Sequence, residues 1–85
     1  MRAVMVVGLG SMGKRRIRLL QQISSRFRIC GVDQQEGRRR EVGQLYGIMC
    51  YSSISEAFSA QAPDVGFVCT SPLAHSSIIR ELLML

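Results

Sequence analysis

Three glycines near the start of the chain follow the pattern Gly-x-Gly-x-x-Gly, with an apolar run over residues 3–7 before them and a helical pattern after them. Gly8 permits a tight turn, Gly10 lets the main chain approach a pyrophosphate, and Gly13 lets the helix pack closely on the strand. The N–H groups at the helix start then face the phosphates. The alternative is a glycine-rich turn in an unrelated α/β domain. The pattern predicts a dinucleotide phosphate site formed by Gly8, Leu9, Gly10, Ser11, Met12 and Gly13.

An acidic residue, Asp33, follows a second apolar run at 27–32 and lies twenty positions after Gly13. A carboxylate at the end of the second strand is placed to accept hydrogen bonds from the 2′- and 3′-hydroxyls of an adenosine ribose. Capping of the next helix is a compatible alternative. An Asp here repels a 2′-phosphate and favours NAD. The arginine run at 38–40 argues slightly for NADP, so the prediction is NAD with NADP left open.

The elements that must position these residues alternate between strands and helices. Apolar runs predict strands over 3–7, 27–32, 48–51 and 65–69, and periodicity predicts helices over 11–23, 35–46 and 54–60, with a last helix from near Pro72. The alternation predicts an α/β fold, a partial Rossmann domain with a doubly wound parallel sheet of about four strands in the order 3-2-1-4. The turn at 8–13 and the loop at 70–75 are then expected to face each other across the crevice beside the first strand.

The first predicted helix has a broad apolar side when its residues are placed at about 100° intervals. Arg16 projects from within that side, so we expect it either to reach out to solvent at the sheet end or to meet an anion. The apolar side consists of Met12, Gly13, Ile17, Leu19, Leu20 and Ile23.

Composition limits the class of protein. The 85 residues are enough for one small domain, and the net charge of +5 comes mainly from basic clusters on the first two predicted helices. These clusters are interpreted either as solvated helix faces or as attraction for a phosphorylated ligand; without interleaved aromatic residues, nucleic acid is not predicted. The three cysteines form no Cys-x-x-Cys pair, so free thiols in a reducing compartment are expected, and no metal site is predicted. Neither a signal peptide nor a membrane span is recognised, which predicts a cytoplasmic location without membrane partners.

With both loops and Asp33 considered together, the chain resembles the N-terminal part of the glucose–fructose oxidoreductase / inositol dehydrogenase family. The turn at 8–13 is similar to that family's Gly-x-Gly-x-Met-Gly, and Gly31-Val32-Asp33 and Leu45-Tyr46-Gly47-Ile48 resemble its next two segments. The loop at 70–75 matches the length of its Thr-Pro-Asn-x-x-His loop. Two departures are Arg16, where many members have His, and Ser71-Pro72 in place of Pro-Asn.

The resemblance implies NAD(P)-dependent oxidation of a secondary alcohol on a sugar, polyol or related molecule. The loop residues Thr70, Ser71, Pro72 and His75 are then expected to contact the cofactor towards its nicotinamide end. The family's proton-relaying Lys and its α/β substrate domain have no counterpart in residues 1–85. We therefore expect a single truncated NAD(P)-binding domain with no catalytic residue of its own, inactive alone.

Two other functions fit the residues. One is a stand-alone, nucleotide-sensing regulatory Rossmann module, and the other is a structural remnant without a ligand. In each case we expect the outer edge of the fourth strand to lack a following strand; the alternative is that a longer parent chain covers this edge. An open apolar edge promotes association, so self-association through that edge or the last helix is predicted.

Overall fold

The computed structural model describes residues 2–23 and 25–70. Four parallel strands form one sheet in the order β3-β2-β1-β4. The predicted α/β Rossmann class and strand order are therefore confirmed, whereas the predicted last helix lies outside the described residues. Along the chain the elements are β1 (Arg2–Val7), α1 (Ser11–Ile23), β2 (Phe27–Val32), α2 (Glu36–Tyr46), β3 (Met49–Tyr51), α3 (Ile54–Gln61) and β4 (Val65–Val68).

The central strand β1 is buried on both faces, as its continuous apolar sequence predicts. Because side chains alternate along a strand, Val4 and Val6 face one layer and Met5 and Val7 face the other. Helices α1 and α2 cover the first face, and α3 covers the second. The helix layers thus hold the carboxyl ends of β1 and β2 side by side.

The outer strand β4 is fixed to β1 at both ends. At its start, the N–H of Asp64 donates to the Ala3 carbonyl at 2.8 Å, and the N–H of Ala3 donates to the Asp64 carboxylate at 3.1 Å. Beyond its end, the N–H of Cys69 donates to the Val7 carbonyl at 2.7 Å. In the described part of the chain β1 is the sole partner of β4, and self-association through the other edge stays a prediction.

Two predicted helix boundaries have the expected local chemistry. Gly47 takes a left-handed conformation (φ 65°) at the end of α2, and its N–H donates to the Gly43 carbonyl. The Ser53 hydroxyl accepts from the N–H of Glu56 at the start of α3, as the Ser-x-x-Glu pattern predicts. Within residues 2–23 and 25–70, no helix combines the length and apolar character needed to cross a membrane.

The buried side of α1 is narrower than the sequence predicts. Gly13, Ile17 and Leu20 are buried. The predictions that Met12, Leu19 and Ile23 are also buried are wrong, since these side chains are 65%, 42% and 72% exposed. At about 100° per residue, the three exposed side chains point roughly a quarter turn or a little more around the helix from the three buried residues. They therefore point away from the side of α1 that packs on the sheet.

Arg16 lies on this same side of α1 and is exposed. Its guanidinium lies over the ring of Phe67 in β4, 4.9 Å from the centroid. A cation over an aromatic face is attracted by the ring quadrupole. Arg16 therefore reaches solvent with an aromatic ring as its support, and the alternative that it meets an anion stays a prediction.

Candidate functional site

The glycine turn after β1 packs directly against the end of β4. Gly8 has a φ of +95°, which favours glycine, and its N–H donates to the Val32 carbonyl at 2.8 Å. A Cβ on Gly8 would lie 2.8 Å from Cγ2 of Thr70 and 2.9 Å from the Cys69 carbonyl oxygen. The fold itself therefore requires Gly8, because a side chain at this position would prevent the turn from packing against residues 69 and 70 after β4.

Packing excludes a side chain at Gly13 but not at Gly10. A Cβ on Gly13 would overlap the Gly8 carbonyl oxygen, so α1 packs on the turn without room for a side chain. A Cβ on Gly10 would meet only the guanidinium of Arg38, at 3.8 Å, which is ordinary van der Waals contact. The fold requires Gly8 and Gly13 but tolerates a side chain at position 10. The absence of one leaves space above the turn that the exposed guanidinium of Arg38 borders, as expected for close approach of a ligand.

The start of α1 presents unused hydrogen-bond donors to that space. Within the described residues, no acceptor takes the N–H groups of Gly10, Ser11 and Met12, whereas the N–H of Lys14 donates to the Gly10 carbonyl at 3.0 Å. These groups carry the partial positive charge of a helix N-terminus. The turn is therefore chemically suited to an anion such as a pyrophosphate.

Asp33 binds the turn and the start of α2 at the same time. Its Oδ2 accepts from the N–H of Leu9 at 2.9 Å, and its Oδ1 accepts from the N–H of Gln35 at 2.8 Å. A carboxylate has about four acceptor positions, so roughly two are left for other donors. The side chain is only 8% exposed. Asp33 thus combines a structural role with remaining acceptor capacity.

Three consecutive arginines of α2 are held in different ways. Arg38 Nη1 lies 3.5 Å from Asp33 Oδ2, with the Arg38 side chain 48% exposed. Arg39 donates to the carbonyls of Asp33 and Gln34, at 2.8 and 2.9 Å. Arg40 turns outward and pairs with Glu36 at 2.9 Å. Arg38 and Arg39 therefore place positive charge at the carboxyl end of β2. The sequence alone left open whether these arginines face solvent or a phosphorylated ligand.

Thr70 lies on the opposite side of the turn from Asp33's strand, beside Gly8. Its hydroxyl oxygen is buried and has no hydrogen-bond partner in the described part of the chain. A buried polar group without a partner is destabilising, so this oxygen has unused hydrogen-bonding capacity beside the turn. The predicted contacts Ser71, Pro72 and His75 lie outside the described residues.

The side chain of Leu9 has a role that the motif did not indicate. It is fully buried in the core, and its methyl groups lie 2.9 and 3.1 Å from where a Cβ on Gly31 would be. Its N–H donates to Asp33 and its side chain is buried in the core, so Leu9 fixes the turn through both its main chain and its side chain. Gly31 was the signal in the sequence that could have indicated this role, because a glycine within a strand often marks a place where another group packs closely against the strand.

Cys30, Cys50 and Cys69 are free thiols, and burial makes the first two poorly reactive. Burial, with a smaller contribution from nearby Cys50, raises the pKa of Cys30 to about 11, and burial also raises the pKa of Cys50. A thiol with a raised pKa is a weak nucleophile at neutral pH. Among the described residues, no group of three or more His, Cys, Asp or Glu side chains could hold a metal ion.

The structure therefore brings the turn at residues 8–13, Asp33 and Thr70 together at the carboxyl ends of three adjacent strands. In open α/β sheets, ligands bind at this edge, where the strand order reverses. The arrangement can place an anion on the turn and a hydroxyl-bearing group beside Asp33.

Comparison with known proteins agrees with this geometry. The family model GFO_IDH_MocA, described as an oxidoreductase family with an NAD-binding Rossmann fold, matches residues 2–85. Comparison with curated protein sequences gives no match.

Several solved structures share the fold. A prephenate dehydrogenase from A. aeolicus, in complex with hydroxyphenyl propionate and NAD+, has a TM-score of 0.86 at 23% identity, covering 96% of this chain and 29% of that one. A probable dehydrogenase from Thermotoga maritima has a TM-score of 0.75 at 27% identity, covering 91% and 23%. An oxidoreductase from Agrobacterium radiobacter, in complex with NAD+, L-tartaric acid and magnesium, has a TM-score of 0.79 at 18% identity, covering 92% and 23%. The chain spans less than a third of each of these proteins.

Proposed function

Because the chain belongs to the oxidoreductase family with an NAD-binding Rossmann fold, we propose that it forms the NAD(P)-binding part of a dehydrogenase. The proposed substrate class is a secondary alcohol on a sugar, polyol or related small molecule. We assign no catalytic role to the described residues. The proton-relaying Lys and the substrate domain are proposed to belong to parts of such an enzyme with no counterpart in residues 1–85.

The proposed cofactor contacts follow from the unused polar groups of the site. The N–H groups of Gly10, Ser11 and Met12 would hold the pyrophosphate, and the remaining acceptor positions of Asp33 would hold the ribose diol. The buried Thr70 hydroxyl is proposed as a further polar contact. The bound nicotinamide supplies a hydride acceptor.

At the nicotinamide end of the site, Ser71, Pro72 and His75 remain proposed contacts from the family resemblance. They follow Thr70 in the amino-acid sequence. The family match favours this dehydrogenase function over a stand-alone regulatory module, which would use the same turn. A cytoplasmic location also stays a prediction.

The observation that carries the proposal is the absence of a side chain at Gly10, where the exposed guanidinium of Arg38 is the nearest group. The fold does not require a glycine there, since a Cβ would meet its nearest neighbour only at 3.8 Å. A glycine that the packing does not require, as the first of three consecutive residues with unused N–H groups, is explained by a ligand that approaches the main chain.

Calorimetric titration with NADH tests this proposal on the unaltered chain and on two glycine variants. Gly10→Ala is expected to fold normally but to lose NADH affinity by about tenfold or more, because the methyl group separates the pyrophosphate from its N–H donors. Gly37→Ala is the matched control, since a Cβ at that exposed helix position meets nothing within 4 Å. Absence of heat with millimolar NADH, or equal affinities for the three proteins, would overturn the proposal.

A further inference from the structure

Arg39 extends back from α2 to the two residues that follow β2. Its Nη1 donates to the carbonyl oxygen of Asp33 at 2.8 Å and to that of Gln34 at 2.9 Å. Arg39 is half-buried, whereas Arg38 and Arg40 are exposed. The guanidinium of Arg39 is thus directed at the protein's own main chain rather than at solvent.

Arg39 is the sole hydrogen-bond partner of these two carbonyls in the described part of the chain, where no main-chain N–H donates to either oxygen. Gln35, the N-cap of α2, forms no side-chain capping bond to the helix. A guanidinium from the first turn of α2 therefore holds the connection between β2 and α2. Hydrogen bonds from a charged donor are shorter and stronger than neutral ones.

The main chain that Arg39 holds is the one that carries the Asp33 carboxylate. The N–H of Asp33 donates to the Tyr51 carbonyl at 3.1 Å, and the carbonyl of Asp33 accepts from Arg39. With the main chain held on both sides, the Asp33 carboxylate accepts from the N–H groups of Leu9 and Gln35. Rotation of the peptide group after Asp33 would change the direction of its remaining acceptor positions.

A ribose diol needs both acceptors of a carboxylate in defined positions. Binding groups must be held within about 0.5 Å of the productive geometry, by contacts that support them from behind. The contacts of Asp33 with Leu9 and Gln35 hold its oxygens, and the contacts of Arg39 hold the main chain to which that side chain is attached.

We propose that Arg39 is the positioning residue for the ribose diol: by holding the Asp33 and Gln34 carbonyls, it directs the remaining acceptor positions of Asp33 at the two hydroxyls. Arg39 acts through Asp33 and contributes no contact of its own to the ligand. The proposal rests on the proposed function, because it assumes a dinucleotide on the glycine turn.

The test compares NADH with an NADH analogue that lacks the 2′-hydroxyl of the adenosine ribose. Both are titrated calorimetrically into the unaltered chain, which is expected to prefer NADH by about tenfold, the scale of one hydrogen bond to a charged group. Arg39→Met removes the donors and keeps a long side chain. It is expected to weaken NADH by about tenfold and the analogue by less than about threefold, because the analogue lacks the hydroxyl whose acceptor is misplaced.

Arg40→Met is the matched control. It removes the same charge one residue away, where the guanidinium pairs only with Glu36 on the exposed side of α2 among the described residues. An exposed pair of this kind contributes little, so neither affinity should change by more than about threefold.

Arg39→Lys is a second variant of the same contact. Its ammonium group can donate to carbonyl oxygens but lacks the geometry of the guanidinium. Its preference for NADH over the analogue is expected to lie between those of the unaltered chain and Arg39→Met, at about threefold. Should Arg39→Met not fold, the decrease from about tenfold to about threefold in Arg39→Lys is the deciding result.

The outcomes separate this proposal from the proposed function. If Arg39→Met weakens both ligands equally, Arg39 acts only through stability, its positioning role is wrong and the NAD site stands. An unchanged preference in Arg39→Met, or in Arg39→Lys where Arg39→Met does not fold, leads to the same conclusion. If neither ligand binds to the folded, unaltered chain, both proposals fail. Circular dichroism confirms that each variant is folded before titration.

Discussion

The main-chain N–H of Leu9 donates to Oδ2 of Asp33 across 2.9 Å, joining the turn after β1 to the end of β2. The motif predicts both residues as ligand contacts, and the structure shows that they also contact each other. Through this bond, the position of the turn depends on a side chain twenty-four residues further along the chain.

Asp33→Ala is expected to reduce both stability and cofactor affinity. It removes the acceptor for the N–H groups of Leu9 and Gln35, so the free energy of unfolding should fall by roughly 1–3 kcal/mol. NADH affinity should fall because the ribose diol loses its acceptor. Urea denaturation and NADH titration measure the two effects.

Asp64→Ala is the control for this prediction. Asp64 also accepts from a main-chain N–H of β1, that of Ala3, but at the opposite end of the strand. Its removal should lower stability by about 1 kcal/mol and leave the NADH affinity of the folded protein unchanged. Equal losses of affinity in both variants would show that Asp33 acts only through stability.

Thr70→Val is expected to stabilise the protein in the absence of a ligand. The Thr70 hydroxyl oxygen is buried without a partner in the described part of the chain, and valine has nearly the same shape. Removal of an unpaired buried hydroxyl should raise the free energy of unfolding by about 1 kcal/mol. NADH affinity should fall, since the proposed polar contact is lost. A destabilised Thr70→Val would contradict this account, and Thr70→Ser, which keeps the hydroxyl, should bind NADH normally.

The buried thiol of Cys30 predicts a loss of stability at alkaline pH. The unfolded chain releases this proton near pH 9, whereas the folded protein, in which burial raises the pKa of Cys30 to about 11, retains it. The stabilisation that comes from keeping Cys30 protonated is fully present below pH 9 and is lost as the pH rises to about 11. It amounts to roughly 2–3 kcal/mol. Urea denaturation between pH 8 and about 11 measures the slope, which should be smaller in Cys30→Ala; an unchanged slope would contradict the assignment.

The strand order and α1 were predictable because local patterns specify them. Continuous apolar runs indicate strands buried on both faces, and the Gly-x-Gly-x-x-Gly turn fixes where α1 begins. The predicted bounds of α1, Ser11–Ile23, agree with the structure residue for residue. Gly47 and Ser53 similarly mark helix ends through their own conformational and hydrogen-bonding preferences.

The contacts between elements were not predictable in the same way. The exposure of Met12, Leu19 and Ile23 depends on how α1 is rotated over the sheet, which a helical period does not specify. The position of Arg38 beside Asp33 depends on where α2 lies relative to β2.

The burial of Leu9 beneath the turn has a consequence for how a ligand binds. The Leu9 side chain anchors the turn in the core and fills the space beside Gly31, where a Cβ would not fit. The turn is therefore already ordered before a ligand binds. Binding then loses little conformational entropy, since preorganised donors need no rearrangement. The free energy of each new hydrogen bond is available for affinity, and binding to the turn should need no slow rearrangement of residues 8–13.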